Sequence, residues 1–302
     1  MITMNRYALA LICMFLVVAA AHAQLLWKIQ VPGNAKPSYL FGTYHFAGSD
    51  FLNSVAGFNQ AFDDCDAVWG EVQCDSLSSP DAVTKMAAAS KAPTDSTLSE
   101  LLSKDAYKIV ASVFNGYFSE FSVTLDQMNS FKPIAISAQI EALQALKYFP
   151  SQDPSAMLDM AIQTLATQKG KATHGLESID DQIEVLFNRN LVKQAQDLLE
   201  QCKNDDKYQQ LNAKLLEAYR KGNLEQIDSI MFDPTMGGDD EQYRADLIDK
   251  RNAKWAAKLM TIMPEQSVLV CVGAGHLPGA KGLISLLRQA GCTLTPVSSK
   301  EQ

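Results

Sequence analysis

Apolar runs of strand length sit at both ends of the chain, and helical amphipathic patterns fill the middle. Near the start, "QLLWKIQV" and "SYLFGTY" flank "PGNAKP", a turn rich in breakers, which predicts a hairpin. "AVWGEV", Ala67 to Val72, predicts a third strand, and the small, polar residues 75–95 predict a loop with a short helix. "TLSELLSKDAYKIVASVFNGYF" then opens with Thr97 three residues before Glu100, a capping-box spacing, ahead of apolar residues at helical intervals.

Asn129 to Tyr148, interrupted by Pro133, and Ser155 to Gln168, stopped by Gly170, predict two more helices, and "KATHGLES" interrupts the helical region briefly. Amphipathic runs follow through Ile183, Phe187, Leu198, Leu211 and Tyr219 to Gly222, and a last long helix covers roughly Gln242 to Met263. The strand "SVLVCVG", a glycine-rich turn, the helix "AKGLISLLRQAG" and the strand "CTLTPV" close the chain as a βαβ unit, which implies a parallel pair. The fold class expected is therefore α/β. A central mixed, largely parallel sheet is built from N- and C-terminal strands, with a large helical middle section.

The first 23 residues change the picture of the N-terminus. They carry one charge, Arg6, an apolar stretch from Ala8 to Ala21, and the exit Ala21-His22-Ala23. The stretch is shorter than the roughly 20 residues that span a bilayer. The layout predicts a cleaved secretory signal peptide with the cut after Ala23, and an exported, periplasmic or secreted chain with no stable membrane span. Residues 24–302 are read as a single domain with helical insertions at about 97–168 and 179–263. Without the leader, 25 basic residues face 34 acidic ones, a net charge of −9, which argues against nucleic acid as a partner. Five cysteines remain, Cys65, Cys74, Cys202, Cys271 and Cys292, an odd number that demands a free thiol or an intermolecular bond. Cys271, inside an apolar run, reads as a buried thiol, whereas Cys65 and Cys74 could pair across a strand edge, a connectivity that sequence does not settle.

Candidate chemistry rests on histidine. Only His45, His174 and His276 follow the leader, and two share a context: "FGTYH" and "VGAGH" each set a glycine three residues before a histidine after an apolar strand. Ligands on open α/β sheets bind beyond the carboxyl ends of the strands. Glu71 and Glu177 also fall just past such ends, so parallel neighbours would bring four polar side chains to one edge. Two imidazoles and one or two carboxylates can hold Zn, Mn or Fe as divalent ions and still leave room for water. Gly42, Gly273 and Gly275 would let the backbone approach a substrate. His174 reads as structural, and Glu177 can equally stabilise the helix that follows it. A phosphate cradle on Gly273, Gly275 and Gly279 is the rival reading of the second turn, without the acidic partner expected about 20 positions on.

"LLWKI", "SYLFGTYH", "WGE", "HGLESIDDQ", "RNAKWA" and "VGAGHLPGAKGLISLLRQAGCTLTPV" resemble, in order and spacing, the TraB/GumN family, which includes the animal Tiki proteases. The resemblance implies an erythromycin-esterase/ChaN-like fold and a metal-dependent hydrolase, with Mn or Co as well as Zn among the candidate ions. It implies His45, Glu71 and His276 as the metal or catalytic core, with Glu177, Gln182, Arg251 and Asn252 in support and Arg251 as the group that would steady a substrate carboxylate or oxyanion. A peptide or protein substrate is expected. The alternatives are a non-catalytic peptide-sequestering protein and, by analogy with ChaN, a haem-binding protein.

Overall fold

The structure, a computed structural model, describes residues 24–146, 157–234 and 240–297. The expected leader, the end of one helix at Tyr148 and the start of another at Ser155 lie outside the described residues.

Six strands form one mixed sheet: β1 (Leu26–Gln30), β2 (Ser38–Thr43), β3 (Ala67–Gly70), β4 (Ala172–Gly175), β5 (Val268–Gly273) and β6 (Thr293–Pro296), in the order β4-β3-β5-β2-β1-β6. The four strands from β4 to β2 are parallel neighbours, and the β1–β2 hairpin is antiparallel. Every residue of β2 is buried, as is most of β5, because helices cover both faces of a parallel sheet. One expectation changes. The closing βαβ unit does not make a neighbouring pair: β6 crosses over two strands and bonds antiparallel to β1. A hydrophobic strand specifies burial but not its neighbour.

Eleven longer helices among the described residues complete the architecture: α1 (Phe58–Asp64), α2 (Pro80–Ala89), α3 (Lys104–Tyr117), α4 (Pro133–Leu146), α5 (Leu158–Gln168), α6 (Ile179–Phe187), α7 (Leu191–Lys203), α8 (Asp205–Arg220), α9 (Leu224–Met231), α10 (Lys250–Ile262) and α11 (Leu283–Gln289). The helix expected from Thr97 breaks in two, because Ser103 accepts a bond from the Ala106 N–H and starts α3 afresh. Pro133 opens α4 instead of interrupting a helix, since its missing N–H costs nothing in the first turn. The long C-terminal helix carries a π turn at Ala245–Asp249 directly ahead of α10.

Two hydrophobic clusters are formed. One spans the sheet and the helices around it, including α1, α5, α10 and α11; the other joins α3, α4 and α7. Tyr219 of α8 ties the helical section to the sheet, donating its hydroxyl to the Gly42 carbonyl at the end of β2. The suggested Cys65–Cys74 bond is absent: all five cysteines of the described chain are free and buried. Cys65 precedes β3 and Cys74 follows it, so four strand residues, roughly 13 Å, separate them, beyond the reach of a disulfide.

Candidate functional site

Each candidate side chain sits just past the end of a parallel strand: His45 after β2, Glu71 after β3, Glu177 after β4 and His276 after β5. The register aligns Thr43 with Gly273, and Gly70 with both Cys271 and Gly175, so the four ends open on one edge.

Arg251, on the first turn of α10, is the hub. Its Nε and Nη2 donate to Glu177 at 3.0 and 2.7 Å, and Nη2 also donates to Glu71 Oε2 at 2.6 Å. Nη1 donates to the Leu247 carbonyl at 3.0 Å and lies 3.1 Å from His276 Nε2. The guanidinium also lies over Trp255, 4.5 Å from its ring centre. Every one of the five N–H donors therefore meets a protein group, and none is left for a substrate carboxylate. In this arrangement Arg251 braces two acids and an imidazole; it does not present itself as the group that steadies a substrate.

Asn252 is fully buried beside it. Its amide nitrogen donates to the carbonyls of His276 and Lys281, so its oxygen must be the atom 2.7 Å from His276 Nδ1. That bond puts the proton on Nδ1 and leaves on Nε2 a lone pair that accepts from Arg251 Nη1; the same atom lies 3.8 Å from Glu71 Oε1. Burial pushes the His276 imidazole down to about 4, which keeps it neutral.

Glu71 Oε1 accepts the Gly273 N–H at 2.8 Å, and Gln182 reaches Oε2 at 3.5 Å. A Cβ at Gly273 would stand 3.3 Å from that carboxylate oxygen, so glycine admits the close approach. Burial would raise the Glu71 carboxyl, but His276 once it is protonated at low pH, together with Arg251, His45 and the Gly273 N–H, outweighs it and holds the group at about 2. Glu177 moves the other way: burial raises it, because one guanidinium compensates two acids.

His45 is differently held. Its Nδ1 lies 2.9 Å from Asp159 Oδ2, while Thr43 donates to Asp159 Oδ1 at 2.5 Å. Asp159 pushes the imidazole up to about 9, and 60 % of the side chain remains exposed. Asp159, in the first turn of α5, escapes a sequence reading because an acid there looks like ordinary helix N-terminal preference. Gln163, one turn further, is a second unforeseen part: its amide bonds Cys74 N and the Val72 carbonyl and pins the loop that carries Glu71.

The other expectations resolve simply. The His174 ring lies tilted against Trp69, ring centres 4.6 Å apart. Gly42 packs against the Ala274 backbone, and Met231 covers Gly275, so the second turn is no open phosphate cradle. Among the described residues no group of three or more histidine, cysteine or carboxylate side chains is gathered tightly enough to hold a metal ion. The donor chemistry nevertheless suits one. His45 and His276 each have Nδ1 against a side-chain oxygen, the arrangement that orients metal-binding imidazoles, and Glu71 is an anion at all ordinary pH, while His45, held protonated up to about 9, would have to give up its Nε2 proton to bind.

Fold and site together define an α/β protein with an acid and imidazole cluster at the carboxyl edge of a largely parallel sheet. The sequence profile of the TraB/PrgY/gumN family matches residues 25–296, and the chain belongs to that family. It is similar to metalloprotease TIKI2 of Danio rerio, 24 % identical over 322 residues that cover 88 % of this chain and 59 % of the relative. It is also similar to metalloprotease TIKI2 of Xenopus tropicalis, 22 % identical over 319 residues, 88 % of this chain and 58 % of the relative. The chain thus spans under three fifths of the length of these curated relatives. No solved structure matches it. No helix among the described residues is long and apolar enough to cross a membrane.

Proposed function

We propose that this protein is an exported, divalent-metal-dependent peptidase. His276 Nε2, Glu71 Oε1 and His45 are the groups that would hold the ion. The observation that carries the reading is the 3.8 Å approach of Glu71 Oε1 to a His276 nitrogen whose proton is fixed on the far side of the ring by Asn252. A divalent ion there would polarise a peptide carbonyl and lower the pKa of a bound water towards about 7.

The chain's own residues do the positioning. A carboxylate held at about 2 is a poor base and a good cation ligand, so Glu71 acts as a ligand. Arg251 fixes its direction, Asn252 fixes the His276 ring, and Asp159 and Thr43 hold His45 at the mouth of the site. Glu177 completes the brace. The similarity to two metalloproteases supports the reaction class. The test is cleavage of a peptide library with Mn, Co or Zn. The proposal expects activity that chelator removes and that His45→Ala and His276→Ala abolish; metal-independent or absent cleavage contradicts it.

One observation favours a second reading, a peptide-sequestering protein. Arg251 already fills the lone pair of His276 Nε2 and one oxygen of Glu71. That reading predicts peptide binding unchanged by chelator.

A further inference from the structure

Three elements leave a gap beside His45. Tyr44 and Phe46, on the loop that follows β2, form one wall, with their rings edge to face and 5.7 Å apart. α8 contributes Asn212, Leu215 and Leu216, and α4 contributes Glu141 and Ala145. Spacings of three and four residues put each set on one face of its helix. The gap is a cavity of about 130 Å³.

Its place follows from the alternation of side chains along the loop. Thr43 and His45 turn towards Asp159, whereas Tyr44 packs on Phe46 and on Tyr219, with 5.4 Å between the two tyrosine ring centres. The cavity therefore lies across the loop backbone from Asp159, and the exposed His45 stands between its two aromatic wall residues in the chain. Successive residues of an extended chain advance about 3.3–3.6 Å. A peptide laid over His45 needs only one or two residues to set a side chain in the cavity.

The walls decide what enters. Ala145 and Leu216 are buried, and Tyr44, Phe46 and Leu215 pack half-buried against the core of the sheet. The two polar members have protein neighbours: Asn212 donates to Gln144 at 2.6 Å, and Glu141 lies 3.2 Å from the Ser137 hydroxyl. Aromatic and aliphatic carbon makes up the rest of the lining, which suits an apolar group. At about 130 Å³ the cavity is well below the roughly 300 Å³ of a pocket for a whole small molecule, and close to the roughly 150 Å³ of an apolar cavity that holds benzene. It has room for one side chain, which must belong to a longer ligand held alongside.

We propose that this cavity is a specificity pocket for one leucine-sized apolar side chain of a peptide held at the candidate site. The proposal rests on the peptide reading of that site but not on hydrolysis. The probes are acetylated and amidated alanine pentapeptides whose central residue is alanine, leucine, phenylalanine or asparagine, the last a polar near-isostere of leucine. Binding to the intact protein is measured by calorimetry or by shifts in NMR spectra, with chelator and with added Mn, and mass spectrometry of the same samples detects any cleavage.

Leucine should bind about 60-fold more tightly than alanine, roughly fourfold for each of its added carbons, and asparagine no more tightly than alanine. Ala145→Leu fills the cavity and should bring leucine down to the affinity of the alanine peptide, which itself stays unchanged. Leu215→Ala enlarges the cavity and should make phenylalanine the tightest ligand. Should either variant fail to fold by circular dichroism, the other decides. Equal affinity for alanine and leucine, or a leucine preference that survives Ala145→Leu, overturns the pocket and leaves the peptide reading standing. If no peptide binds under either condition, the peptide reading falls and the pocket with it. Leucine-selective binding without cleavage overturns hydrolysis alone.

Discussion

Replacing Arg251 with methionine tests the brace at its centre. The substitution keeps an apolar stem against Trp255 and removes five donor contacts at once: two to Glu177, one each to Glu71, His276 and the Leu247 carbonyl. Arg251, Glu71 and Glu177 side chains are 9, 11 and 6 % exposed, so water cannot replace the guanidinium. Taking one partner from a buried ion pair costs about 3–5 kcal/mol. At roughly 2–4 °C per kcal/mol, Tm should fall by roughly 10 °C. The orphaned acids escape part of the penalty by taking up protons, so the deficit should shrink as pH is lowered towards the ordinary carboxylate range. Glu177→Gln in the same chain should recover about 1–3 kcal/mol, a non-additive coupling expected of groups in contact. Urea unfolding followed by circular dichroism at pH 7 and pH 5 measures Arg251→Met, Glu177→Gln alone and the double variant. A loss under about 1 kcal/mol, or additivity within about 0.5 kcal/mol, would refute the reasoning.

Asp159→Asn should leave the fold intact and weaken metal affinity about 10–100-fold, as loss of an orienting partner does, and calorimetric titration of the ion checks this; unchanged affinity removes His45 from the site. The five buried thiols should ignore Ellman's reagent at pH 8 in the native protein and all react in urea, since burial holds Cys65, Cys74 and Cys202 up at about 12; a missing pair after denaturation would mean a disulfide. Burial, aided by Glu141, raises Tyr44 to about 12, and burial with Asp197 does the same for Tyr208. A phenol raised in the folded state stabilises it below the ordinary value near 10, and that contribution is lost as pH rises from 10 to 12. Urea midpoints measured across that range, with absorbance at 295 nm, should fall together with phenolate formation.

Much of the sheet was legible because strands buried on both faces read as apolar runs: β2, β3 and β5 follow "SYLFGTY", "AVWGEV" and "SVLVCVG". Strand order was not, since β6 could satisfy its burial beside β1 as well as beside β5. The candidate site residues were recognisable as short polar interruptions at strand ends, His45, Glu71, Glu177 and His276. Their wiring was hidden. Asp159 lies 114 residues from His45, and Arg251 lies 180 from Glu71, so no local spacing announces either contact. The Leu247 carbonyl that takes one Arg251 donor likewise lies in a π turn that no periodicity signals.

The most direct test is metal analysis of purified protein after exposure to Mn, Co or Zn and gel filtration, for the native chain and for His276→Ala and Glu71→Gln. The account predicts about one equivalent of ion on the native chain, with strong loss in both variants. A native chain that retains no ion, or variants that retain as much as it does, would contradict the claim that this edge of the sheet is a metal centre.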